Sequence, residues 1–398
     1  MSEWKRVKLK ELIKEVNERN KGEKVKRVLS VTNSRGFVSQ EEYFEGTVHS
    51  ANISNYKIVR KNQFAYNPSR VNVGSIDILK DYEEGALSPM YIVFEVDTIK
   101  LLPDYFKYYF QTNRFFENVK NNTQGSVRNS LSFKALADFD YLLPPIEEQV
   151  KIIKILKNVE SLIDINKKYI KNITKAKEKI FDNFLNQNYE WQNKTFSEVF
   201  DMLPNNSFSR DKLNYQKGIY KNIHYGDILT KYNEIVDIEE NDYIPFINDE
   251  EINNKACVIL KDRDVIIADT AEDETVGKAV EVINVKDKKV LSGLHTIACR
   301  PNLKFANGYL GFYINSKEYH KQLIPLMQGI KVLGITKNNI KRKTRIKFPN
   351  LEIQNKIVII MQNYNEKIKL LEKKLKEYEK MKKALMQKLL TGKVRVKI

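Results

Sequence analysis

The chain has 398 residues and a formal net charge of +17, with 42% apolar and 11% aromatic side chains. That length supports two or three domains with real cores, and that hydrophobicity excludes a chain disordered throughout. Two cysteines exclude a disulfide-stapled scaffold and point to a reducing compartment. No run approaches the roughly 18 uninterrupted apolar residues of a membrane span. The opening MSEWKRVKLKELIKEVNERN lacks the apolar h-region of a signal peptide. A cytoplasmic location with no membrane contact is the expectation.

The positive charge is uneven. Residues 1–143 carry 22 basic and 18 acidic side chains, 144–190 carry 9 and 7, 191–349 carry 24 and 21, and 350–398 carry 13 and 5. A pI near 9.4 makes nucleic acid or an acidic partner the first expectation. The globular blocks are only mildly basic, so solvated lysine faces are the competing reading.

Taken in chain order, the elements occur twice. Trp4 opens the segment KLKELI, and Trp191 opens a similar segment, TFSEVF, 187 residues later. FAYNPSR and VGSIDIL in the first half resemble DVIIADTAED and VGKAVEVINV in the second, and read as strand–loop–strand units. Gly74 and Gly277 permit tight backbone at the return. Leu87-Ser88 matches Leu291-Ser292 at an offset of 204. The segments 105–116 and 309–319 are each predicted to form a helix with a buried aromatic face. Gly-containing loops follow, NTQGSVRNSLS and MQGIKVLGITK, with Gln124-Gly125 matching Gln328-Gly329 at the same offset. Leu136 and Ile340 then lead to a proline.

The helices after those prolines carry the clearest repeat. PPIEEQVKIIKILK (144–157) and PNLEIQNKIVIIMQ (349–362) share Pro, Glu, Gln, Lys and Ile at a constant offset of 205. Pro144-Pro145 forbids helix before it, and Glu147 and Glu148 favour the positive end of the helix dipole. Apolar residues then fall 3 and 4 apart at Leu156, Val159, Ile163, Ile170, Ile173, Ile180 and Phe184. The second helix repeats this at Met361, Tyr364, Ile368, Leu371, Leu375, Tyr378, Leu385 and Leu389. Such steps sustained over four heptads indicate a coiled-coil seam. Asn166 stands at the register of Leu371, and Lys177 and Lys382 occupy equivalent seam positions; polar seam residues cost stability but can fix register. Two similar halves related by a pseudo-twofold axis would run these helices antiparallel, a spacer of roughly 58 Å at about 1.5 Å per residue.

Chemistry-bearing motifs are otherwise sparse. Asn67-Pro68-Ser69-Arg70 is not the Asn/Asp-Pro-Pro-aromatic tetrad of an amino-methyltransferase, and no GxxxxGK[ST] loop is encoded. Asp287-Lys288-Lys289 reads as a hairpin turn rather than the tail of a nuclease motif. Four scattered histidines and two isolated cysteines give no metal-ligand spacing. Cys257 and Cys299 flank apolar runs and are expected to be buried, while His224 and His295 could be packed or face nucleic acid. Asn67, Ser69, Arg70, Asn72, Gln124, Arg128 and Asn129 cluster in loops, and Arg, Asn and Gln are the side chains that pair bidentately with base edges. Ordinary turn chemistry explains the same residues.

LLPPIEEQVKIIKIL, its partner FPNLEIQNKIVIIM, the terminal LMQKLLTGKVRV and the stretch VIIADTAEDETVGKAVEV resemble the specificity subunit of type I restriction–modification systems, over essentially the whole chain. FAYNPSRVNVGSID in the first half fits the recognition segment less well, and Pro349-Asn350 replaces a double proline. The resemblance implies an α+β fold with two mixed α/β target-recognition domains joined by two long helices in an antiparallel coiled coil. Its parts would be recognition domain 1 at 1–143, spacer helix 1 at 144–190, recognition domain 2 at 191–348 and spacer helix 2 at 349–398. It implies a non-catalytic subunit that reads a bipartite, asymmetric site in double-stranded DNA. Two methyltransferase subunits would methylate adenine N6, and motor-nuclease subunits would cleave unmodified DNA. S-adenosylmethionine, ATP and Mg would be held by those partners and no cofactor by this chain. Under this reading the expected DNA contacts are Arg35, Asn67, Ser69, Arg70, Gln124 and Arg128 in the first domain. In the second they are Ser207, Ser209, Arg210, Thr270, Lys278 and Lys331. The alternatives are a methylation-only complex, and a coiled-coil scaffold whose basic surface holds acidic proteins.

Overall fold

The computed structural model describes residues 3–43, 50, 52–123, 130–240, 243–248 and 258–397. Gln124, Arg128, Asn129 and Cys257 lie outside the described residues. The chain divides into two units, Met1–Lys167 with Lys373–Ile398, and Lys168–Glu372. Each is a mixed α/β body clasped by one stretch of each long helix, and the same plan recurs in both.

In the first unit, Lys5–Lys8 pairs antiparallel with Asp140–Leu143. A four-stranded sheet runs Ile13–Val16, Ile92–Val96, Phe64–Tyr66, Ile76–Ile78, and a second runs Gly36–Ser39, Val28–Thr32, Glu84–Leu87, Lys57–Arg60. Val28–Thr32 joins its neighbour in parallel. The aromatic faces foreseen in the sequence build the core. Phe106 lies 4.7 Å from Phe110 edge-on and stacks on Tyr109 at 5.6 Å, with Phe64 and Tyr141 also at 5.6 Å. Aromatic pairs of this kind add about 0.5–1.5 kcal/mol each beyond area burial. Ile152 and Leu156 of one long helix and Met386, Leu389 and Leu390 from the end of the other complete that core.

The second unit repeats the plan. Gln192–Thr195 pairs antiparallel with Arg345–Phe348. The larger sheet runs Phe200–Leu203, Thr296–Pro301, Val265–Ala268, Ala279–Ile283 in the same order as its counterpart, with Ile235–Asp237 added in parallel at the edge. That added strand falls between Trp191 and Leu291, where the repeat register placed the extra length. The turn entries also correspond. Lys8 N–H donates to the Glu11 carboxylate at 2.9 Å, and Thr195 N–H to Glu198 at 2.7 Å, so a glutamate three residues on holds the backbone at each turn entry, 187 residues apart. Gly74 (φ +94°) and Gly277 (φ +91°) are both left-handed at the returns, as their positions required.

Three local expectations change. The helix expected over 105–116 is two, Pro103–Tyr109 and Asn113–Thr123, because the Thr112 hydroxyl accepts the Phe115 N–H at 3.3 Å and starts a new helix. Its partner breaks the same way into Tyr309–Ile314 and Lys317–Leu323, where the Ser316 hydroxyl accepts from Tyr319 N–H at 3.2 Å. Asp287 lies in a turn closed by Lys288 N–H on the Val285 carbonyl, but the flanking strands belong to different sheets, so it is not a hairpin. Cys299 is buried in the core, as expected.

The long helices run Ile146–Leu185 and Leu351–Leu389. Their shared glutamine explains the repeated signature. Gln149 is buried, accepts from Leu102 N–H at 2.8 Å and donates to the carbonyls of Lys100 and Pro144 at 2.9 Å. Gln354 accepts from Ala306 N–H at 2.9 Å and donates to the Pro349 carbonyl at 2.8 Å. Each amide thus ties the first helical turn to the body in front of it, satisfying backbone groups the sheets leave open.

Within each unit the two helical stretches are antiparallel. In the first, Glu160 binds Lys382 at 2.8 Å and Lys167 meets Glu379 at 3.7 Å. In the second, Lys177 Nζ donates to Asn365 Oδ1 at 2.6 Å, while Phe181 and Met361 share one core. Glu160 and Asn365 are themselves 205 residues apart, so the two seam lysines use equivalent partners.

Candidate nucleic-acid interface

In the first unit the loop between Phe64–Tyr66 and Ile76–Ile78 is closed on itself. Asn67 N–H donates to Ser75 O at 3.1 Å, Arg70 N–H to Asn67 O at 3.0 Å, and Ser75 N–H to Arg70 O at 3.2 Å. The Asn67 side-chain Oδ1 accepts from Ser69 N–H at 3.1 Å, and its Nδ2 donates to the Met90 sulfur at 3.6 Å. Ser69 and Arg70 are exposed, and the Arg70 guanidinium has no partner among the described residues. The hairpin carrying Arg35 sits beside this loop, for the Ser75 hydroxyl donates to the Val31 carbonyl at 2.7 Å. Gly36 is left-handed (φ +63°), which favours glycine there, and a Cβ would also have to push aside the Asp77 carboxylate. Arg35 itself is exposed and lies 5.3 Å from the Tyr43 ring. Four of the sequence-derived residues therefore share one surface: Arg35, Asn67, Ser69 and Arg70.

The second unit assembles a denser surface. Asn206, buried, donates to Asn222 Oδ1 at 2.8 Å, and Asn205 donates to the Gly293 carbonyl at 3.1 Å. This pins the loop holding exposed Ser207 and half-buried Ser209 and leads into Arg210. Ser209 donates to Asp211 at 2.5 Å. The Arg210 guanidinium binds fully buried Asp227 at 2.7 Å, His224 Nδ1 at 3.2 Å and the Tyr215 hydroxyl at 3.2 Å. Lys231 also binds Asp227 at 2.8 Å. Burial first, and the Arg210 charge second, press the His224 imidazole down to about 4, so it is neutral at pH 7 and its Nδ1 accepts. His224 stacks near Tyr225 (4.7 Å), and Tyr225 meets His295 edge-on at 5.3 Å.

His295 holds a left-handed backbone (φ +54°) and lies 3.3 Å from Asp269, while Thr270 donates to Asp269 at 2.8 Å. Thr270–Ala271 pairs with Leu333–Gly334, the stem of the loop that carries exposed Lys331. Thr270, and Arg210 through His224 and Tyr225, thus converge on one turn, residues 293–295, with Ser207 and Ser209 on the loop between Asn205 and Arg210 and Lys331 on the loop whose stem pairs with Thr270–Ala271. Lys278 is not among them. Its ammonium donates to the Leu229 carbonyl at 3.1 Å in a cavity with Glu234 and Asn315, and burial lowers its pKa against the pull of Glu234.

The two surfaces are built alike. In each, the loop after an inner strand (Asn67, Thr270) lies against the turn before another strand (Met90, His295), at offsets of 203 and 205. The sequence leaves the roles of His224 and His295 open and gives no sign of Tyr215, Tyr225 or Asp227. Nothing in the spacing of Arg210 and Asp227 marks them as partners; the fold alone joins them. Among the described residues no three His, Cys, Asp or Glu side chains group as a metal site, and no helix is long and apolar enough to cross a membrane.

Comparison with known proteins agrees with this plan. The family described as type I restriction modification DNA specificity domain matches residues 1–175 and 188–380, once per repeat. A candidate type I restriction enzyme specificity subunit of Methanocaldococcus jannaschii, MjaX, is 24% identical over 395 residues, covering 94% of this chain and 88% of that one. The MjaVIII specificity subunit of the same organism is 24% identical over 350 residues, covering 82% and 77%. A solved chain from work on complex assembly and conformational transition of the type I restriction–modification system superposes with a TM-score of 0.63 at 13% identity, covering 99% of both chains, which shows the shared fold. With a duplicated domain, a duplicated helix and a family match across both copies, the chain belongs to the specificity subunits of type I restriction–modification systems.

Proposed function

We propose that each unit reads one half of an asymmetric, bipartite site in double-stranded DNA, and that the chain directs methyltransferase subunits to an adenine N6 in each half. Motor-nuclease subunits would use the same recognition to cleave unmodified DNA. Two methyltransferase subunits suit two equivalent helix stretches. S-adenosylmethionine, ATP and Mg would serve those partners, and this chain would contribute recognition without catalysis, acting where the chromosome lies, in the cytoplasm. The observation that carries the reading is the pair of equivalent loop surfaces, each rich in Arg, Asn, Ser and Thr, with different side chains at matching positions.

Phosphate contacts from lysine and arginine would give salt-dependent affinity, and loop side chains would read base edges. Adenine N6 is Watson–Crick paired on the base edge and methyl transfer needs the base inside the partner's active-site pocket, so the base leaves the stack and the duplex distorts. Arg70, exposed and without a partner among the described residues, is expected to contact one half-site. Arg70→Ala should weaken or relax recognition of that half only, by ~1–3 kcal/mol, measured as binding to duplexes altered in one half at a time. An equal loss on specific and random DNA would make Arg70 a phosphate contact instead.

A further inference from the structure

The loop 328–334 has an exposed apolar tip that the recognition surface does not account for. Ile330 is 100% exposed and Val332 is 50% exposed. The tip is stiff. Gln328 and Gly334 exchange both backbone hydrogen bonds, at 3.0 and 2.8 Å. Gly329 has φ +122°, and a Cβ there would lie 1.9 Å from the Val332 carbonyl, so the loop is closed against itself. Its stem pairs with Thr270–Ala271, and Ile335 just beyond is buried in the core. A β-branched side chain is thus presented on a closed loop base, which lowers the backbone ordering cost of binding.

The charge that follows the tip in sequence favours one occupant, the DNA of the function proposed above. Residues 331–343, KVLGITKNNIKRK, hold Lys331, Lys337, Lys341, Arg342 and Lys343 and no acidic residue. Lys337 donates to Asn205 at 2.8 Å, and the other four have no ion-pair partner among the described residues. Lys331, the immediate neighbour of Ile330, and the cations that follow it in sequence suit a phosphate backbone with a base stack between its strands. Proteins that kink DNA use Leu, Ile or Met in this setting to part a base step.

We propose that Ile330 is a wedge that enters the base stack of the half-site bound by the second unit. The proposal rests on the DNA-reading function above. The probe is a duplex enriched from a random-core pool by the full chain, alone and co-purified with a methyltransferase subunit, then rebuilt with 2-aminopurine at each position in turn. Wild-type chain should raise fluorescence several-fold at one step. Ile330→Ser should abolish that rise and weaken binding about 10- to 100-fold, with an unchanged thermal melt, and Ile330→Leu should preserve both. Lys331→Ala should keep the fluorescence rise and reduce the slope of log affinity against log salt by about one. Unchanged fluorescence and affinity in Ile330→Ser would overturn the wedge and leave DNA reading standing. Loss of methyltransferase co-purification in that variant, with the DNA signal intact, would also overturn it. Failure to enrich any duplex would overturn both readings.

Discussion

Glu148→Ala is expected to destabilise the first unit by about 2–4 kcal/mol. Glu148 is fully buried at the start of its long helix and accepts from the Trp4 indole at 2.9 Å, from Arg395 at 2.8 and 2.9 Å, and from Val396 N–H at 3.1 Å. One carboxylate therefore ties the first strand segment and the C-terminal segment to the same helix. Removing it leaves a guanidinium, an indole N–H and a backbone amide without their acceptor. The figure is set below that for a fully enclosed pair because the Arg395 side chain is 25% exposed. Burial alone would push the carboxyl up, but Arg395, Trp4 and Val396 outweigh it and hold it below the ordinary glutamate range. A depressed carboxyl stabilises the fold above its unfolded value, about 4.3, and that contribution is lost as pH falls through the folded value. Urea unfolding at pH 7 measures the loss. The double variant Glu148→Leu, Arg395→Met should recover part of it, since no orphaned charge remains. A single-variant cost under about 0.5 kcal/mol, the scale of an ordinary surface substitution, would contradict this role.

Glu234→Ala is expected to cost a similar amount, about 2–4 kcal/mol, in the second unit. Glu234 accepts from Lys177 at 2.5 Å and from Asn365 Nδ2 at 2.9 Å, and Lys177 donates to Asn365 at 2.6 Å, a closed ring of three side chains. Lys177 is only 14% exposed, so its ammonium has little water to replace the lost partner. Burial would raise the Glu234 carboxyl, yet the Lys177 charge and the two hydrogen bonds hold it low, so this contribution too disappears as pH falls below the glutamate range. Replacing all three groups by apolar side chains of similar volume should restore most of the stability while loosening the helix register. Unfolding of the second unit followed by a local fluorescence probe distinguishes the single from the triple variant. Equal losses in both would show that the ring does not act as a unit.

The seam lysines show what the sequence could and could not reveal. Periodicity and the 205-residue register placed Lys177 and Lys382 on the helix interface, and both are there. The further partner of Lys177 was invisible, because Glu234 is 57 residues away in sequence and reaches it only through the fold. The same holds for Arg210 and Asp227, and for Lys278, which a loop position marked for DNA and packing placed beside Glu234 instead. The broken aromatic helices were readable in principle: Thr112 and Ser316 each stand three residues before a buried aromatic whose N–H they cap. Strong apolar periodicity across the break masked that signal. The long helices were legible because proline, acidic first turns and heptads all agree there.

Under the proposed function this chain selects a split DNA site for adenine methylation. The most direct test is a genome-wide adenine-methylation map of the host with the gene intact and deleted, with the partner methyltransferase expressed in both. Loss of one bipartite motif on deletion, with the others retained, is the predicted result and would also reveal the half-sites. An unchanged map under those conditions would contradict the account.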